Sequence, residues 1–345
     1  MVDRKRISAA TLQDVAREAG VSLATASRTL NGSTRRVNDE YRDRVRAAAA
    51  RLNYSANLSA QAVARGRSKS IGLVVGDIAD PYFSSIAAGV FRAAEEAGLI
   101  VTVAASERRP EHEINIVAAL RGQKPQVLLL AGSRIVDEAI TLRLVDELKA
   151  FERDGGRVAL ISQEGLPFDT VTLQNEDGAR RLARRMVELG YTRFAVLAGP
   201  RNLLTARDRL KGIRAGLAEL GIDLPGGNVI HGEFTRDGGY AAAGEFLSLY
   251  TDAEIILAVN DVMAVGAMAR LRESNLSLPG DVAVAGFDDI ATLRDVTPSL
   301  TTFRLPLESL GSIAVALALD PDAPGPRLRT VDGDVVVRQS TPPRV

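Results

Sequence analysis

The chain has 345 residues, of which 46% are apolar and 4% aromatic, with 43 basic and 43 acidic side chains and no cysteine. This length suggests two or three folding units, the missing cysteine excludes disulfides and thiolate chemistry, and no run of about eighteen apolar residues exists to span a bilayer. The zero net charge hides a division: residues 1 to 70 hold fourteen Lys/Arg and six Asp/Glu, a net of +8, and the rest carries −8. The basic start, Met1 to Arg6, runs into polar, helix-patterned sequence rather than an apolar signal segment, so a cytoplasmic protein with a polyanion-binding head is expected.

From Thr11, placed to cap, the apolar residues Leu12, Val15, Ala16 and Ala19 recur at helical spacing until Gly20. Ser22 then caps a second helix, with Ala26 and Leu30 inward, which stops at Asn31-Gly32. A third amphipathic helix is predicted from about Asn38 to Leu52, its inner face Val45, Ala48, Ala49 and Leu52. Two short helices joined at a glycine make a helix-turn-helix, whose second helix enters the DNA major groove. Its exposed set is Leu23, Ala24, Thr25, Ser27 and Arg28. Arg28 alone has the fork to read guanine, Leu23 and Ala24 offer apolar contact, and Thr25 and Ser27 suit phosphate oxygens.

These residues carry a family likeness. Asp14-Val15-Ala16, Gly20-Val21-Ser22, Ala24-Thr25, Ser27-Arg28, Leu30-Asn31-Gly32 and Arg51-Leu52-Asn53-Tyr54 closely resemble the headpiece of the lactose repressor and purine repressor family. The resemblance implies DNA contacts at Thr11, Leu12, Ser22 and Asn31 beside the set above. It also implies a hinge helix in the minor groove with Asn57, Ala60, Gln61 and Val63. Ala56 stands where a proline is usual and Val63, shorter by a methylene, where a leucine wedge is usual, so a kink that is shallower or differently held is expected. The headpiece is expected over 1–54, hinge and linker over 55–70, and the core over 71–345.

Beyond the linker Arg65 to Ser70, the apolar runs 71–75, 100–104, 127–131, 157–161, 194–198, 254–259 and 282–286 alternate with helical segments, the pattern of parallel α/β sheets. The fold class expected is therefore an all-α helix-turn-helix headpiece plus an α/β two-lobed core with parallel sheets. The resemblance implies a periplasmic-binding-protein-like arrangement of that core, with lobe one over about 71–171 and 304–320, lobe two over about 172–300 and 327–345, and three crossings between them.

Ligand is expected in the crevice at the strand carboxyl ends. Tyr82 and Phe83 offer aromatic faces to a sugar ring, and the resemblance points to Arg209, Phe234, Asn260 and Asp288 as further effector contacts. Gln163, in Ser162-Gln163, replaces a frequent Asp-Arg, and Gln174 stands where aspartate is common. A phosphorylated sugar would call for more cations than this reading places, so a neutral sugar, polyol or sugar acid is expected, with a purine as alternative.

An α/β enzyme is the rival class, yet no dinucleotide fingerprint or phosphate loop occurs, and His112 and His231 lack metal-ligand spacing. No catalysis, cofactor or metal is expected. A transport binding protein, the other rival, needs no DNA-binding head. The expected partners are operator DNA, a sugar-like effector and a second copy of the chain. The chain stops soon after its last strand, Val335-Val336-Val337, with no counterpart of a heptad tetramerisation tail, which favours a dimer.

Overall fold

The computed structural model describes residues 10–31, 37–54, 67–249, 252–320 and 325–344. Ala56 and the expected hinge contacts Asn57, Ala60, Gln61 and Val63 lie outside them. The chain divides into two compact units, with the division between Lys69 and Ser70.

The first unit contains α1 (Leu12–Ala19), α2 (Leu23–Asn31) and α3 (Asp39–Arg51). Thr11 caps α1 reciprocally: its Oγ1 accepts from the Asp14 amide at 3.3 Å, and its own N–H donates to Asp14 Oδ2 at 3.0 Å. Gly20 ends α1 at φ 61°, a left-handed turn that favours glycine. Ser22 Oγ accepts from the Thr25 amide at 3.1 Å, and Asn38 Oδ1 from the Glu40 amide at 3.0 Å, so both later helices begin on side-chain caps. Val15, Ala16, Ala19, Ala26, Val45, Ala48 and Ala49 close a small core, with Leu12, Leu30, Leu52 and Tyr54 packed around it.

The second unit holds two six-stranded sheets. In chain order its elements begin with β1 (Ser68–Val75), α4 (Pro81–Glu96), β2 (Ile100–Ala105), α5 (Pro110–Gln123), β3 (Pro125–Ala131), α6 (Glu138–Arg153), β4 (Arg157–Ile161) and β5 (Asp169–Leu173). There follow α7 (Asn175–Glu188), β6 (Phe194–Ala198), α8 (Leu204–Ala218), β7 (Val229–His231), α9 (Arg236–Ser248), β8 (Ile255–Ala258), α10 (Asp261–Glu273), β9 (Ala283–Asp288) and β10 (Thr301–Arg304). The last are α11 (Leu307–Leu319), β11 (Leu328–Val331) and β12 (Asp334–Val336).

One sheet runs β11-β5-β4-β3-β1-β2, the other β12-β10-β9-β8-β6-β7. Strands such as Leu128, Leu129 and Leu130 are buried throughout because helices cover both faces. The chain passes between sheets three times: after β5, after β10 and between β11 and β12.

One expectation is corrected here. Residues 327–345 do not all lie in the second lobe, because β11 pairs in parallel with β5 of the first sheet, Leu328 opposite Thr170, and only β12 joins the second. Arg327 anchors β11 there, its backbone N–H and its guanidinium both donating to Asp169, at 2.8 and 2.7 Å. The expected last strand shifts to Asp334–Val336 and pairs antiparallel with β10. It thus forms an antiparallel edge on an otherwise parallel arrangement.

Candidate functional site

In the first unit, Ser22, Leu23, Ala24 and Arg28 are exposed, and Thr25 and Ser27 are half-buried. Leu23 shows 45% of its surface. The Thr25 hydroxyl lies 2.9 Å from the Ser22 hydroxyl. Thr11 is exposed but occupied as the α1 cap, Leu12 turns partly into the core, and Asn31 is the last residue of α2. The helix therefore presents apolar contact at its start and a guanidinium one turn on, in the order the sequence suggested.

In the second unit, the carboxyl ends of both sheets enclose a cavity of about 530 Å³ lined by all seven expected effector residues, Tyr82, Phe83, Gln163, Arg209, Phe234, Asn260 and Asp288. Asp80 caps α4 by accepting from the Tyr82 amide at 3.0 Å and so fixes the aromatic pair. Phe83 is 5% exposed and meets Tyr82 edge to face, so it serves mainly the core, whereas Tyr82 and Phe234 are half-buried. Burial, and then the charge of Asp288, push the Tyr82 phenol up. Asn260 caps α10, its Oδ1 accepting from the Met263 amide at 2.9 Å, which leaves its amide nitrogen for a ligand.

Arg209 does not offer an open fork. Its Nε donates to Asn175 Oδ1 at 2.9 Å, Nη1 to the Val259 carbonyl at 2.7 Å and Nη2 to Asp288 Oδ1 at 2.7 Å, while the guanidinium lies 3.9 Å from the Phe287 ring centroid. Three of its five N–H donors thus serve the protein. Its first effect is to fix Asp288, which ends β9 at φ 119° and is followed by Asp289 at φ 60°. Backbone of this kind survives only where its surroundings over-determine it. Arg338 holds Asp289 at 2.7 Å, and Asp261 Oδ2 accepts from the Ile290 amide at 3.0 Å. Asp261 Oδ1 also accepts from the Thr302 hydroxyl at 2.7 Å. Burial, and then the neighbouring Asp288, push Asp261 up to about 8, and burial raises Asp288 to about 6 against the opposing pull of Arg209.

The expectation that the cleft is poor in cations is corrected. Arg108, Arg109 and Arg134 line it beside Arg209. Three of the four are held by acids in the same wall. Arg108 donates to Asp80 at 2.7 Å, Arg134 grips Glu113 through both nitrogens at 2.6 and 2.8 Å, and Arg209 holds Asp288. The Arg108 guanidinium also lies over the Phe83 and Phe234 rings, at 5.6 and 5.9 Å. Gln163 is bound up as well: its Oε1 accepts from the Arg134 amide at 2.9 Å and its Nε2 donates to the Thr205 hydroxyl at 2.7 Å. Arg108, Glu113 and Arg134 escaped the sequence reading, since nothing local marks an arginine on a loop or an acid on a helix as facing a cleft. Among the described residues no group of three or more His, Cys, Asp and Glu is gathered to hold a metal ion, and no helix is long and apolar enough to cross a membrane.

A helix-turn-helix unit and a two-lobed unit with a cleft, in one chain, define a DNA-binding regulator with a ligand-sensing core. Residues 11–57 match the family described as bacterial regulatory proteins, lacI family, and residues 183–341 a periplasmic binding protein-like domain. The regulator GalR of Escherichia coli (strain K12) is 32% identical over 340 residues, 96% of each chain. The lac repressor dimer bound to operator and the anti-inducer ONPF superposes with TM-score 0.82 at 28% identity, over 96% of this chain and 99% of that one. The CelR–cellobiose complex gives TM-score 0.70 at 29% identity, with the same coverage of each chain. The chain belongs to the LacI family of transcriptional regulators, and it is a DNA-binding transcriptional regulator.

Proposed function

We propose that this chain is a dimeric repressor of the cytoplasm that reads a near-palindromic operator with α2 of two copies, and that a neutral sugar or polyol in the cleft controls it. The observation that carries the ligand class is the pairing of Arg108, Arg134 and Arg209 with Asp80, Glu113 and Asp288. A wall in which three of four cations are already matched by carboxylates of the same wall offers little free positive charge to a phosphate or carboxylate ligand, yet presents alternating donors and acceptors to hydroxyl groups beside the aromatic faces of Tyr82 and Phe234. The solved CelR–cellobiose complex and the operator-bound lac repressor dimer support this reading by likeness.

Two-fold symmetry of the dimer maps onto two operator half-sites, with Leu23, Ala24 and Arg28 at base edges and Ser22, Thr25 and Ser27 toward the backbone. The effector acts by favouring one arrangement of the lobes over another, and the three interlobe segments carry that difference. By linkage, an effector that weakens operator binding binds the operator complex more weakly by the same factor.

The experiment is a thermal-shift screen of the full-length protein with cellobiose, ribose, other neutral sugars, polyols, sugar acids and sugar phosphates, followed by operator titration with and without the hit. A neutral compound is expected to raise the melting temperature and change operator affinity. Stabilisation by sugar phosphates or acids alone would overturn the ligand class, and no selection of an inverted repeat from random duplexes would overturn the regulator reading.

A further inference from the structure

Two loops, one from each lobe, join along the wall of the cleft. The segment after β3 and the segment after β6 form an antiparallel bridge with Ile135 opposite Leu203. The Val136 amide donates to the Asn202 carbonyl at 2.8 Å and the Leu204 amide to the Arg134 carbonyl at 2.9 Å. Side chains extend the seam: Ser133 Oγ accepts from the Thr205 amide at 3.0 Å, and Gln163 spans from the Arg134 amide to the Thr205 hydroxyl. Ser133, Arg134, Ile135, Asn202, Leu203 and Thr205 are at the same time part of the cavity wall.

Main-chain pairing of this kind depends on no ligand group. It satisfies four backbone polar groups, and opening the lobes would return all of them to water together with the Gln163 amide. We propose that this seam is a clasp that holds the two lobes closed in the absence of effector. The consequence for regulation rests on the reading of the cleft as the effector site: a ligand enters only when the clasp opens, so the clasp, more than the ligand's own contacts, sets the rate of exchange. Gln163 is then a positioning residue of the clasp rather than a ligand contact.

The bonds flank Ile135 and Leu203 instead of joining them, so the two are a non-hydrogen-bonded antiparallel pair, with Cα atoms about 4.5 Å apart. That spacing falls within disulfide reach. The chain has no cysteine of its own, so Ile135→Cys with Leu203→Cys introduces the only two thiols. In the full-length protein without sugar, mild oxidation is expected to close the disulfide in nearly all molecules, read as lost thiol labelling and an intact-mass change. Thiols that stay free, or that close only when cellobiose or another stabilising sugar is added, would overturn the clasp.

A second measurement needs no cysteine. In ligand-free wild-type protein, hydrogen exchange at Val136 and Leu204 is expected to be slowed even though Val136 is 53% exposed. Gln163→Ala, which removes two supporting bonds, is expected to speed it about tenfold. Exchange in the wild type as fast as in an open loop would equally sink the proposal. A protein that closes its disulfide but is stabilised by no sugar after reduction leaves the clasp standing and removes the effector reading instead.

Discussion

Arg209 and Asp288, 79 residues apart in the chain, meet at 2.7 Å with side chains only 2% and 6% exposed. Each was expected to face a ligand, and each first faces the other. The pair ties α8 to the end of β9, and through Asn175 and Val259 it reaches the start of α7 and the end of β8. It is a structural joint as well as a wall of the cleft.

Removing one partner therefore leaves a buried charge alone. Arg209→Ala is expected to lower stability by about 3–5 kcal/mol, and to abolish the response to effector at concentrations that saturate the wild type. In a double-mutant cycle with Asp288→Ala the two losses are expected to fall well short of additive. Denaturant unfolding of the four proteins measures this, and strictly additive losses would refute the coupling.

The acids behind this joint predict a pH dependence. Asp261 and Asp288 have folded values raised to about 8 and about 6, above their unfolded value near 3.8. The folded state thus holds their protons more tightly, so their contribution is fully present below about pH 4 and is lost as pH rises through 6 and then 8. Asp261→Asn is expected to remove its share of the decline from about pH 4 to 8, which is the whole contribution of this pair between pH 6 and 8. Melting temperatures of both proteins from pH 4 to 9 test the difference, which cancels the titration of groups that do not interact with Asp261. Parallel profiles would refute the assignment.

DNA reading separates two exposed cations. Arg28→Ala is expected to cost about 1–3 kcal/mol on the operator and to relax specificity at one base pair per half-site. Lys69→Ala, on the exposed start of β1, is expected only to flatten the salt dependence. Binding to operator and random duplex over a salt series distinguishes them. An equal loss for Arg28→Ala on both duplexes would show that it contacts backbone alone.

Helix packing behind the cleft depends on close approach at Gly89. A Cβ there would lie 1.8 Å from the Glu308 carbonyl oxygen, where α4 crosses α11. Gly89→Ala is expected to destabilise by about 1–3 kcal/mol or more. Gly122→Ala, also in a helix but with no atom within 4 Å of the new methyl, is expected to be neutral or to stabilise by up to about 1 kcal/mol. Urea unfolding of both variants settles the contrast, and equal effects would refute it.

The sequence by itself determined what local chemistry can state. Thr11, Ser22 and Asn38 cap the three head helices because a short oxygen before a helix satisfies amides a few residues on. Apolar runs such as 127–131 and 194–198 are strands because both faces of a parallel sheet are covered. The short, polar-interrupted strands β5, β10 and β11 carry no such run, and their places follow from partners far along the chain. The same holds inside the cleft. Its seven expected residues line one cavity, but only Tyr82 and Phe83 were marked by their place after a strand end, whereas Gln163, Arg209, Phe234, Asn260 and Asp288 were reached through the family resemblance. Which arginine faces which acid, that Gln163 serves an interlobe seam, and that β11 leaves the second lobe were decided only by the tertiary structure. An ion pair or a strand edge is satisfied by whatever the fold brings within about 3 Å, and that proximity has no signature in the residues on either side.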